Sequence, residues 1–312
     1  MRAVLAILST LGLASCAEPT ITDQGPNDCV YECTGHGCPT LVVRDLDDIF
    51  AALGDGRDLY WMEGAGLAQR NPLGGTTRFP ALGVSPLALD LAGGQVWAAG
   101  GPSEDVRQVD VDTGKVTTYP LRSSSVAAMD DGSAYISTDQ GLVRASSAGL
   151  SPFDGASVGG VVGRWDDQVL YSDNREIDVV DAQGTRTKLV DVTDGVFELA
   201  GFGDHVVFRT SYQLWVLTPP STSPVSWNQT GQVLESVASA TGVLWVRITA
   251  DQRRELVARR WDEPAERVLA WDIAPRGQTP VIALWGDQAV YAAGERPRGA
   301  ALCALVKVPS GL

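Results

Sequence analysis

Chemistry in a protein needs nucleophiles, proton carriers or metal ligands at workable spacing, and this chain offers few. Its only histidines are His36 and His205, so a site built from several imidazoles is excluded. No G-x-S-x-G elbow and no H-E-x-x-H helix motif is present, which removes the common serine-hydrolase and zinc-protease arrangements. Asp110, Asp112 and Gly114 in DVDTGK have the look of a calcium loop. A calcium loop also needs further oxygen ligands and a closing bidentate Glu, which are missing, so the segment reads as a hairpin turn. What remains is a scatter of carboxylates, Asp48, Asp90, Glu198 and Glu235, with one basic residue, Arg164, in comparable positions. Converging on one channel, they would form an acidic ring with a single Arg, suited to a cation or a sugar-like polar ligand. The competing reading is that they are solvated loop ends.

Whether they converge depends on the elements that carry them. A turn followed by a short apolar and aromatic strand recurs seven times: GRDLYWM (56–62), GGQVWAA (93–99), DGSAYIS (131–137), DDQVLYS (166–172), GDHVVFR (203–209), TGVLWVR (241–247) and GDQAVYA (286–292). The first six begin 35 to 38 residues apart and the last interval is 45. Before each turn lies another short strand with a column of small residues, Ala51, Ala128, Gly163, Ala200, Ala238 and Ala283, interrupted by Asp90. After the aromatic strand, segments such as DVRQVDVDTGKVTTYPL (105–121) add two strands joined by a polar turn. A four-stranded unit with a period near 40 predicts an all-β, seven-bladed β-propeller over 41–312. Small residues suit inner strands that converge on an axis.

The last repeat lacks a fourth strand, and Leu41–Leu46 has no partner in the first. Ring closure solves both: Leu41–Leu46 supplies the outer strand of the final blade and covers its open edge. This closure is expected to bury Leu41, Val43 and Leu302 and to set Cys38 beside Cys303.

LYWMEGAGLAQRNPLGG (59–75), AYISTDQGLVRASSAGL (134–150) and LVKVPSG (305–311) resemble the repeats of YWTD- and NHL-type propellers, above all those of exported bacterial propellers. Repeats five and six depart from the pattern at PPSTSPV (219–225) and in the Arg-rich hairpin after Asp251. The resemblance implies a propeller fold and leaves the activity open.

The chain begins with Arg2 and an apolar run from Ala3 to Leu13 that is too short to span a bilayer. The following Leu13-Ala14-Ser15-Cys16 resembles the signal of bacterial lipoproteins. The resemblance implies cleavage after residue 15, acylation of Cys16 and, with Ala17 rather than Asp next, an outer-membrane location. Residues 16–40 are polar and rich in Gly and Pro, a tether from lipid to folded body. Apart from Cys16 the cysteines are Cys29, Cys33, Cys38 and Cys303. In an exported protein four cysteines imply two disulfides with three possible pairings. Ring closure selects Cys38–Cys303 and leaves Cys29–Cys33. A metal site of Cys29, Cys33, His36 and Cys38 is the competing reading, but its spacing is irregular for zinc.

The balance of 24 Lys and Arg against 38 Asp and Glu, a net charge of −14, argues against nucleic acid, whose phosphates need a basic face. No cofactor or metal is expected. The chain thus reads as a monomeric, non-catalytic envelope lipoprotein whose propeller binds a protein or carbohydrate. The alternative is a propeller enzyme acting on a polysaccharide, lactone or similar substrate through carboxylates at the channel mouth.

Overall fold

The computed structural model describes residues 39–312 except 45, 47–48, 85–86, 155–159, 229, 275–277 and 297–298, with the side chains of 102, 154, 294–296 and 299–303 also outside the description. Among the described residues, twenty-eight strands form seven antiparallel sheets of four, and there is no helix. The seven inner strands are Ile49–Gly54, Ala88–Ala92, Val126–Ala128, Val161–Trp165, Glu198–Phe202, Gln232–Ala238 and Ile282–Trp285. Each contacts the next in order, and the last contacts the first, so the sheets form a ring. The expected seven-bladed propeller is the fold observed.

The core is divided among the seams between blades. Seven clusters of buried side chains are found, and each draws its members from two neighbouring blades. The aromatic strand of each repeat supplies most of this apolar surface: Trp61, Trp97 and Trp245 are fully buried. Inner strands stay small because they touch. A Cβ on Gly163 would lie 2.0 Å from the Leu199 carbonyl oxygen of the next blade. Two residues beyond that column, Trp165 and Trp285 stay partly exposed and work across seams. Their Nε1–H groups donate to the carbonyls of Gly203 (2.7 Å) and Arg57 (2.8 Å) in the following blades. Trp285 also packs, partly buried, against the core seam of blades 7 and 1. Trp227 and Trp261 pack against each other with centroids 4.8 Å apart, whereas Trp271 is about half exposed.

Thr40–Val43 forms the outer strand of blade 7, antiparallel to Gly299–Pro309. Ring closure thus occurs as expected, with one correction. Val42 rather than Leu41 is buried, because a register irregularity between Leu41 and Val43 re-phases the strand. Leu46 completes the seam with Ile49, Leu59 and Leu305. In the ladder Thr40 opposes Lys307 and Val43 opposes Leu305. Cys16, Cys29, Cys33, Cys38 and the side chain of Cys303 lie outside the described residues, as do the signal and tether segments through residue 38.

The polar turns behave as the repeat requires. In DVDTGK, Asp110 Oδ1 accepts hydrogen bonds from the Thr113 N–H (2.8 Å) and hydroxyl (2.7 Å). These bonds hold the Asp110 carboxyl down at about 2. His205 is less solvated than its hairpin position suggests. It stacks on Trp261 of the next blade at 4.3 Å, and its Nδ1 lies 3.1 Å from the Thr218 hydroxyl.

Candidate functional site

Each inner strand begins at the mouth where the chain arrives from the preceding blade, here the upper mouth, and ends at the lower mouth, where it turns into the second strand. Height along the axis therefore follows from position in the inner strand. Glu198 starts its strand, whereas Arg164 is next to last in its own, so the two lie toward opposite ends of the channel.

At the upper mouth, Glu198 pairs in register with Arg209, and Arg209 Nη2 lies 2.7 Å from Glu198 Oε1. The Ser236 hydroxyl, from the neighbouring inner strand, donates to the other oxygen of Glu198. A register irregularity between Val233 and Glu235 precedes the second carboxyl. Burial holds Glu235 well above the usual carboxylate range, reinforced by the negative charge of Glu198 and opposed by Arg209. A side-chain hydrogen bond with Glu198 adds to the same upward shift. The pair ties blade 5 to blade 6.

This geometry limits its chemistry. Glycosidic carboxyls stand ~5–9.5 Å apart to hold a scissile bond between them, and two carboxyls joined by a hydrogen bond leave no such space.

Midway along the channel, Asp90 makes a second tie. Its Oδ2 accepts the N–H of Ala128 in blade 3 (2.7 Å), and its Oδ1 accepts the N–H of Leu91 (2.8 Å). Burial pushes its carboxyl up to about 6, against the pull of those two donors and of Arg164. The one acidic residue in the small column thus supplies an acceptor to a backbone donor of the next blade.

At the lower mouth, Arg164 forms a bidentate pair with Asp130, Nη1 to Oδ1 at 2.8 Å and Nη2 to Oδ2 at 2.6 Å, while its Nε donates to the Asp166 carbonyl at 2.9 Å. The expected ring of carboxylates around one arginine therefore does not assemble. Glu198 and Glu235 meet each other with Arg209 as their cation, Asp90 is held by backbone donors, and Arg164 belongs to Asp130. Asp48 lies outside the described residues. Arg209 was passed over, although the turn register of GDHVVFR sets it opposite Glu198, a cross-strand opposite-charge pair. Among the described residues, no group of three His, Cys, Asp or Glu side chains is arranged to hold a metal.

The lower mouth also holds a cavity of about 640 Å³, with Asp55, Asp58, Tyr60, Asp112, Asp130 and Arg164 in its wall. The upper mouth differs in kind. Phe50, Leu87, Phe197 and Tyr212 are exposed there by 42–68%. Phe50 falls at a register irregularity between Ile49 and Ala51, and the Arg209 guanidinium lies 5.3 Å from the Phe197 ring centroid. Leu73 is exposed at the lower mouth.

These features define a β-propeller with two chemically distinct mouths. No family model and no curated protein matches the chain by sequence. Solved structures match it by fold. PorZ, a bacterial surface component of the type-IX secretion system of Porphyromonas gingivalis, is similar at a TM-score of 0.55 and 14% identity, over 86% of this chain and 37% of PorZ. The chain thus spans little more than a third of that protein. BamB from Moraxella catarrhalis is similar at a TM-score of 0.52 and 11% identity, over 84% and 85% of the two chains. The protein U3-55K reaches a TM-score of 0.63 at 9% identity, over 87% of this chain and all of its own. At these identities the likeness is one of fold.

Proposed function

We propose that this protein is a lipid-anchored component of the bacterial envelope whose propeller serves, without catalysis, as a docking platform for a protein partner. The observation that carries the reading is the set Phe50, Leu87, Phe197 and Tyr212 at the upper mouth. Exposed apolar side chains gathered on one face mark interaction sites, whereas singly scattered ones do not. The engagement of Asp90, Glu198, Glu235 and Arg164 with one another or with the backbone supports a platform over an enzyme. The bacterial propellers PorZ and BamB give the same direction coarse support.

The Leu13–Cys16 segment supports an acyl anchor at Cys16 and a place at the outer membrane, and the repeats resemble those of YWTD- and NHL-type propellers. Thr40 enters the fold at the lower end of blade 7.

A photoreactive residue placed at Phe197 or Tyr212 in cells tests the platform, with Leu73 as the control. Discrete protein adducts from the first two and none from Leu73 are expected; adducts from Leu73 alone would overturn the assignment. Mass spectrometry of the mature N-terminus should find acylated Cys16, and an unmodified Ala17 start would remove the anchor.

A further inference from the structure

The carboxyl pair at the upper mouth has more negative capacity than its surroundings can answer. Glu198 and Glu235, brought together by adjacent inner strands, face one cation, Arg209. The other strands packed on Gln232–Ala238 supply no second one. Arg247, in Gly242–Ile248, is held by Glu255 and Glu266. His205 lies at the far end of the strand that closes with Arg209, and Ile282–Trp285 carries no charge. With one proton on the pair the charges cancel; without it, one negative charge is left over.

Arg209 has the means to answer that charge. Its Nη2 engages Glu198 at 2.7 Å, but its Nε is buried and has no hydrogen-bond partner. A buried donor left unpaired is costly. This one is shielded from solvent, so relief must come from a group already inside the seam. Glu235 is that group. Once ionised it loses its hydrogen bond with Glu198, becomes an acceptor only, and is repelled by Glu198 and drawn to the guanidinium.

Arg209 also holds Phe197. Its carbonyl accepts the Phe197 N–H (2.9 Å), and its guanidinium lies 5.3 Å from the ring centroid. Phe197 is more than half exposed, so a turn of the guanidinium beneath it alters what the mouth presents.

We propose that the Glu198–Glu235 pair is a proton switch: loss of its proton passes Arg209 from Glu198 alone to both carboxylates and resets Phe197 at the upper mouth. Burial delays the ionisation of Glu235 to well above the usual carboxylate range, so the switch turns as pH rises. That Phe197 meets a partner rests on the platform reading; the switch does not.

The test is fluorine NMR of the full-length protein labelled with para-fluorophenylalanine. The Phe197 signal, one of six, is assigned by its loss in Phe197→Leu. Between about pH 5 and pH 9, above the range of an ordinary carboxyl, it should shift along one sigmoid. Glu235→Gln should abolish the sigmoid. Glu198→Gln should move its midpoint down, because the charge that opposes ionisation of Glu235 is gone. Asp90→Asn and His205→Gln, which alter the carboxyl of another seam and the imidazole of this one, should leave it in place. A signal that ignores pH, a sigmoid that survives Glu235→Gln, or one that vanishes in His205→Gln would overturn the proposal. So would an unmoved midpoint in Glu198→Gln, even where Glu235→Gln fails to fold. A titrating signal with no adduct from a photoreactive residue at Phe197 supports the switch and removes only the platform.

Discussion

Asp90 gives the most direct quantitative test, because it titrates inside the channel while bound to a neighbouring blade. In the unfolded chain its carboxyl ionises near the ordinary value of about 3.9; in the fold, burial pushes it up to about 6. The folded state therefore holds a proton that the unfolded state has released. Stability from this group is greatest below about pH 4 and falls as pH rises through about 6. Two pH units correspond to about 3 kcal/mol, an upper figure because the side chain is partly open to the channel. Asp90→Asn removes the titration and keeps one acceptor oxygen for the Leu91 or Ala128 N–H. Urea unfolding of both proteins at several values between about pH 4.5 and pH 7.5 isolates the group, since the remaining carboxylates cancel in the difference. Relative to the variant, the wild type should lose up to about 2 kcal/mol from the acidic to the neutral end. A difference that stays flat, or a wild type that gains with rising pH, refutes the assignment of a raised Asp90.

Three further substitutions probe the seams. Gly163→Ala drives a methyl group into the Leu199 carbonyl and should cost about 2–3 kcal/mol in chemical denaturation; a neutral result would show that the two inner strands are not in contact there. Arg247 lies 2.8 Å from Glu255 and 2.5 Å from Glu266, nearly buried with both, so Arg247→Ala strands two carboxylates and should cost about 3–5 kcal/mol, read as a fall in Tm. Leu46→Ala opens the closing seam and should cost about 2–5 kcal/mol; an unchanged Tm would mean that the segment before blade 1 adds nothing to closure.

The blades were legible because their signal is periodic: each turn and aromatic strand occupies the same place in its repeat, and the same physics fixes all seven. The missing outer strand was legible as a count, one strand short at one end and one spare at the other. The failures share a cause, since each depends on a contact between segments that no local pattern encodes. A register irregularity after Leu41 leaves Leu41 exposed and buries Val42 instead. Asp90 stood out by type, but its partner is a backbone N–H 38 residues away. His205 gave no sign of Trp261, which reaches it from the next blade. Asp90, Arg164 and the Glu198–Glu235 pair all sit on inner strands yet occupy different heights along the axis, which comparable positions in a repeat do not reveal.

Closing blade 7 with a strand from the other end of the chain bears on how the protein is made. The strand at Thr40–Val43 is synthesised more than 250 residues before its partner at Gly299–Pro309. The seam that joins Val42, Leu46 and Trp61 to Val290 and Leu305 cannot form while the nascent chain is short. At every earlier stage blade 1 presents an unsealed flank and the first strand lacks its ladder. The latch on blade 7 therefore engages only after the blades between the two strands have been synthesised.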